Sequence, residues 1–123
     1  MILIVDDDPG VRRFVRGVLE NAGYTVHEAA GSSEALPLLE SHSYDLLLAD
    51  IIMPEMDGFK LAATAHRRQP NLRVIFMTGF TAHYEDELSG SVVLSKPFTV
   101  AKLLLAVESA IGLPRTKMAG GKS

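Results

Sequence analysis

Asp6, Asp7 and Asp8 stand in a row behind the apolar run Ile2 to Val5, and Asp50, Thr78 and Lys96 each follow an apolar run of their own. Neighbouring like charges about 4 Å apart cost up to roughly 4 kcal/mol at the effective dielectric of a protein surface. A chain that leaves its core on three carboxylates therefore needs something to offset them. Oxygen ligands gathered in a cleft suit a hard divalent cation, and Mg²⁺ takes one or two carboxylates together with waters and a phosphate oxygen. Taken singly, each residue has a plainer reading. Asp8 before Pro9 reads as a helix cap, Asp6 or Asp7 as a solvated turn, Thr78 before Gly79 as a strand end, and Lys96 before Pro97 as a loop cation. Asp50 is followed by Ile51, Ile52, Met53 and Pro54, which is no turn sequence and holds its carboxylate at a buried edge. It is their common placement at strand ends that makes a site of them. His27, His42, His66 and His83 share no ligand spacing and are expected at the surface.

Two hydrophobic periods alternate along the chain and supply the elements that would position these groups. Short continuous apolar runs at 2–5, 45–49, 72–77 and 92–94, with a weaker one at 24–28, suit parallel strands buried on both faces. Val11, Phe14, Val15, Val18 and Ala22 fall on one helical stripe, as do Val100, Leu103, Leu104, Val107 and Ile111. Asp8 with Pro9 starts the first helix and Gly23 closes it; Ser32 or Ser33 starts a second, Asp57 caps a third that Pro70 stops, and Thr99 caps the last, ended by Gly112 and Pro114. Pro37 falls inside the second helix, which must begin late or bend there. The segment 80–91 is polar and contains Gly90, so a fourth helix there is expected to be short and weakly held, and the segment mobile. Alternating βα units predict an α/β fold with a parallel sheet covered on both sides. In such sheets ligands sit beyond the carboxyl ends of the strands.

At 123 residues the chain is the size of one domain, read as residues 1–112 with a flexible tail over 113–123. Twelve basic residues against fifteen acidic ones give a net charge of -3, with no basic surface for nucleic acid or an anionic membrane. The absence of cysteine excludes disulfides, thiolate metal sites and cysteine nucleophiles. No signal peptide and no apolar run of spanning length is present, and a soluble, cytoplasmic chain is expected.

The stretches IVDDDPGVRRFV, LLLADIIMPEMDGF, VIFMTG and LSKPF, in this order, resemble the receiver domains of bacterial two-component response regulators. The likeness runs from Ile2 to about Gly112 and is nearest to the stand-alone, single-domain receivers of alphaproteobacteria. It implies a doubly wound five-stranded parallel sheet of order 2-1-3-4-5 flanked by five helices. Asp50 matches the aspartate that accepts a phosphoryl group from a histidine kinase or phosphotransfer protein. Asp7 matches a direct Mg²⁺ ligand, Asp6 one acting through water, and the Ile52 carbonyl a further ligand. Thr78 and Lys96 match the hydroxyl and ammonium that meet the phosphoryl group, and the bond to Pro97 matches a cis peptide.

Two departures stand out. Val93 occupies the position, three residues before Lys96, where the family often carries a switching aromatic ring. The stretch from Thr78 to Lys96 is also shorter than usual, which trims the region that most often meets partners. The expected protein assists only its own phosphorylation and dephosphorylation, signals by altered binding to a partner protein, and is a monomer or weak homodimer. No effector sequence follows Gly112, so direct contact with DNA is not expected. A receiver module of a hybrid histidine kinase is the near alternative. A small phosphatase using Asp50 as nucleophile is the distant one, disfavoured because dehalogenase-like enzymes resemble D-x-D where Asp50 is followed by Ile-Ile-Met. Nucleotide or flavin binding would need a glycine-rich or hydroxyl-rich first loop instead of Asp-Asp-Asp-Pro-Gly.

Overall fold

The computed structural model describes residues 1–79 and 85–114. Its strands are β1 (Ile2–Val5), β2 (Val26–Ala29), β3 (Leu46–Asp50), β4 (Arg73–Thr78) and β5 (Val92–Ser95), and its helices α1 (Pro9–Ala22), α2 (Ser32–Ser41), α3 (Gly58–Arg68), α4 (Glu85–Leu88) and α5 (Val100–Ile111). The strands are parallel and ordered β2-β1-β3-β4-β5, as the resemblance implied.

Alternation along the strands divides the core in two. Leu3, Val5, Leu47, Ala49 and Phe76 point to one face and pack with Ala35, Leu39, Leu61 and Ala65 of α2 and α3. Ile2, Ile4, Leu46, Leu48, Ile75, Met77 and Leu94 point to the other and pack with Val15, Leu19, Leu103 and Val107 of α1 and α5. Every residue of β1 and β3 is buried, which is why both read as continuous apolar runs.

The expected caps form. The Asp8 carboxylate accepts from the Gly10 and Val11 amides, Asp57 from Lys60, and Thr99 from Lys102. Gly23 ends α1 in the left-handed region at φ 107°, where glycine carries no Cβ penalty. β2 begins two residues later than the run 24–28 suggests, because Tyr24 belongs to that helix end: its amide donates to the Leu19 carbonyl at 3.0 Å. α2 starts at Ser32 and runs through Pro37. The amide that proline lacks would have met the carbonyl of Ser33, an exposed residue that water can serve. α4 is a single turn, as expected; residues 80–84 of the segment predicted to be mobile lie outside the described residues. Described chain continues past α5 to a buried Pro114, and 115–123 of the predicted tail also lie outside it. Among the described residues no helix is long and apolar enough to cross a membrane.

Candidate functional site

The strand ends deliver the predicted groups to one edge of the sheet. β1 runs into Asp6, which is fully buried, and then Asp7, which is exposed. β3 ends on Asp50, 8% exposed, and β4 on Thr78, 1% exposed. β5 passes into Lys96, whose amide donates to the Thr78 carbonyl at 2.8 Å, so the hydroxyl and ammonium residues are tied through their backbones. The bond from Lys96 to Pro97 is cis, as expected. Ile52, at the mouth, is 48% exposed, and its amide donates to Asp50 Oδ1 at 3.4 Å. Val93 is half-buried against the core on the α2 and α3 side.

Lys96 lies between the two buried acids. Its Nζ donates to Asp6 Oδ2 at 2.7 Å and to Asp50 Oδ2 at 3.2 Å. Asp6 Oδ1 accepts from the Asp8 amide at 2.9 Å, which folds the acidic turn back on itself. Carboxylate oxygens of Asp6, Asp7 and Asp50 all come within 4.8 Å of one another. One ammonium serving two of three carboxylates leaves negative charge uncompensated, and the Asp50 carboxyl shows it. Burial, then the charge of Asp6, push its pKa above the ordinary value by more than Lys96 and the Ile52 amide pull it down. Burial alone would lower the Lys96 pKa; the hydrogen bond to Asp6 and the charges of Asp50 and Asp6 outweigh it and hold the ammonium above its ordinary value. An oxygen-only donor set with unspent negative charge fits Mg²⁺.

Two supporting residues escaped the sequence. Gly58 begins α3 where a Cβ would lie 2.3 Å from the Asp50 carbonyl oxygen, so only glycine lets the helix start this close to the strand end. Its place inside MPEMDG was the available signal. Arg12, one turn into α1, donates to the Asp6 carbonyl at 2.6 Å, and nothing in its spacing announced that. The histidines carry one correction. His27 is half-buried, its Nδ1 2.8 Å from the Tyr44 hydroxyl, because it sits on an edge strand whose outer face is covered by the chain entering β3. His42 and His66 are exposed, and His83 lies outside the described residues.

Residues 2–108 match the family described as response regulator receiver domain. The chain belongs to that family. This receiver domain is 40% identical over 114 residues to the response regulator receiver protein CpdR of Brucella abortus, covering 89% of the chain and 95% of CpdR. It is 33% identical over 119 residues to the sensor kinase CckA of the same organism, covering 89% of the chain but 12% of that kinase. Among solved structures it superposes with a TM-score of 0.80 and 29% identity on the response regulator TrrA of Thermotoga maritima in complex with Mg²⁺-BeF, covering 89% of the chain and 96% of that protein. Receiver domains are phosphorylation-driven switches of two-component systems, they bind Mg²⁺, and they work with histidine kinases or phosphotransfer proteins.

Proposed function

We propose that Asp50 is the phosphoacceptor of this switch, and that the observation carrying the assignment is Lys96 Nζ held between Asp6 and Asp50 with the Asp7 carboxylate beside them. A carboxylate oxygen of Asp50 attacks the phosphorus of a phosphohistidine, the P–N bond breaks, and the imidazole leaves with the electron pair. Asp50 ends β3 beside Asp6, where burial and that neighbouring charge disfavour its ionised form, the kind of perturbed carboxylate that reactive sites gather. Mg²⁺ would be held by Asp7, Asp50 and the Ile52 carbonyl, with Asp6 acting through water, and would supply positive charge to offset repulsion between the two anions. Lys96 turns its ammonium from Asp50 to a phosphoryl oxygen, and the Thr78 hydroxyl meets another. The phosphoryl group brings negative charge and three strong acceptors. With Val93 in place of an aromatic ring, the response passes through Thr78 and the backbone it shares with Lys96, without ring rotation.

The chain acts only on its own phosphoryl group, works in the cytoplasm and signals by changing its affinity for a partner protein. The test is intact mass after incubation with acetyl phosphate and MgCl₂. One phosphoryl group gained, lost with either Asp50→Asn or chelation of the metal, is the expected result. Turnover of many acetyl phosphates with no trapped adduct would make the chain a phosphatase instead.

A further inference from the structure

The acidic turn is held from behind as well as from the cleft. Arg12 Nη1 donates to the Asp6 carbonyl at 2.6 Å, and Arg12 Nε to Glu28 Oε1 on β2 at 3.1 Å. The second oxygen of Glu28 takes Arg16 Nη1 at 2.7 Å, and Arg16 Nε lies 3.2 Å from Glu20. The Arg12 side chain is only 16% exposed. The hydrogen bond from Arg16, opposed by burial and aided by Arg12, keeps the Glu28 carboxyl below its ordinary pKa, so the chain of charges stays ionised at neutral pH.

The position of that one donor has a geometric consequence. The peptide joining Asp6 to Asp7 is planar, so whatever fixes the Asp6 oxygen also fixes the Asp7 nitrogen and the Cα from which its side chain departs. A guanidinium reaches a carbonyl and a carboxylate in one plane; an ammonium cannot reproduce that fork. The geometry points to Arg12, oriented by Glu28, as a positioning residue that aims the Asp6 and Asp7 carboxylates at the cation. The inference rests on Asp6, Asp7 and Asp50 forming the Mg²⁺ site.

A simple charge effect has the opposite sign. A guanidinium near the site repels a divalent cation, so replacing Arg12 with a neutral residue would tighten Mg²⁺ binding if charge were all it contributed. Positioning requires that the same replacement weaken it.

The experiment is calorimetric titration of the full chain with MgCl₂ alone, with the thermal midpoint recorded for each variant. Arg12→Gln and Glu28→Gln are expected to raise the Mg²⁺ Kd by about 10-fold, the lower end for loss of a group that orients a metal ligand. Arg12→Lys does not restore the affinity, and Arg68→Gln, which loses only its surface pair with Glu40, leaves it unchanged. Phosphoryl uptake from acetyl phosphate falls at limiting MgCl₂ and recovers at saturation, a split that a folding defect would not produce. Tighter or unchanged Mg²⁺ binding in folded Arg12→Gln overturns the inference. Should that variant fail to fold, Arg12→Lys and Glu28→Gln carry the test, and unchanged affinity in both overturns it. If the unsubstituted chain binds no Mg²⁺, the reading of the site itself falls; if it binds and the variants match it, only the role of Arg12 does.

Discussion

β1 and β3 lie in the middle of the sheet with every residue buried, whereas β5 closes it with a single buried residue, Leu94, and α4 adds one helical turn beside it. The first pair presents Asp6, Asp7 and Asp50; β4 and β5 present Thr78 and Lys96. A groove of about 1000 Å³ opens beside β5, lined by Phe59, Val74, Val92 and Leu105 among others. Mutually repelling carboxylates need a frame that will not yield, and the central strands supply it. Under the proposed function Lys96 must move to meet a phosphoryl group, and it follows the lightly covered β5, while Thr78 stays buried at the end of β4. The fold spends its packing where the charges are.

The contrast predicts unequal costs for removing side chains. Leu48→Ala on β3 empties a fully buried site and is expected to cost about 2–5 kcal/mol. Val92→Ala on β5, 52% exposed, is expected to cost no more than about 0.5 kcal/mol. Midpoints of urea unfolding at constant slope measure both, and similar values for the two would erase the distinction between the halves. Next in size is Gly58→Ala. A Cβ 2.3 Å from the Asp50 carbonyl oxygen meets backbone that cannot swing aside, and the overpacking cost is about 1–3 kcal/mol. The same substitution moves Asp50, so phosphoryl uptake falls in a variant that still folds.

The same contrast explains what could be read from the sequence. β1 and β3 announced themselves because burial on both faces leaves an unbroken apolar run, and α1 because Asp8, Pro9 and Gly23 punctuate it. The site was legible because its members stand at the ends of those runs, where a parallel sheet collects them. What escaped depends on contacts between distant segments. Tyr24 reads as strand, yet its amide closes α1 and its hydroxyl donates to the Gly112 carbonyl at 2.8 Å, at the far end of α5. Glu28 reads as an ordinary edge-strand acid until β2 lies beside α1 and it meets Arg12 and Arg16. No local pattern encodes either pairing. Tyr24→Phe tests the first: loss of one partly buried hydrogen bond is expected to cost about 0.5–1.5 kcal/mol by the same unfolding measurement, and no loss would show that the contact does not hold α5.

The smallest expected effect has its sign fixed by the carboxylates themselves. Burial and the Asp6 charge raise the Asp50 pKa above its ordinary value of 3.8. The folded chain therefore holds this proton more tightly than the unfolded chain does, and stability is lost as pH rises from the ordinary value through the raised one. At neutral pH and without a divalent cation, ionised Asp50 is a net burden on the fold, only partly relieved by Lys96. Asp50→Asn cannot ionise, so in EDTA the variant is expected to melt above the unsubstituted chain at neutral pH, with the gap closing as pH falls toward 4. Added MgCl₂ should raise the melting point of the unsubstituted chain more than that of the variant, since a ligand stabilises the form it binds. A variant that melts lower at neutral pH in EDTA would mean that the bond to Lys96 more than compensates the buried charge, and that the central strands hold a satisfied ion pair instead of an anion waiting for its cation.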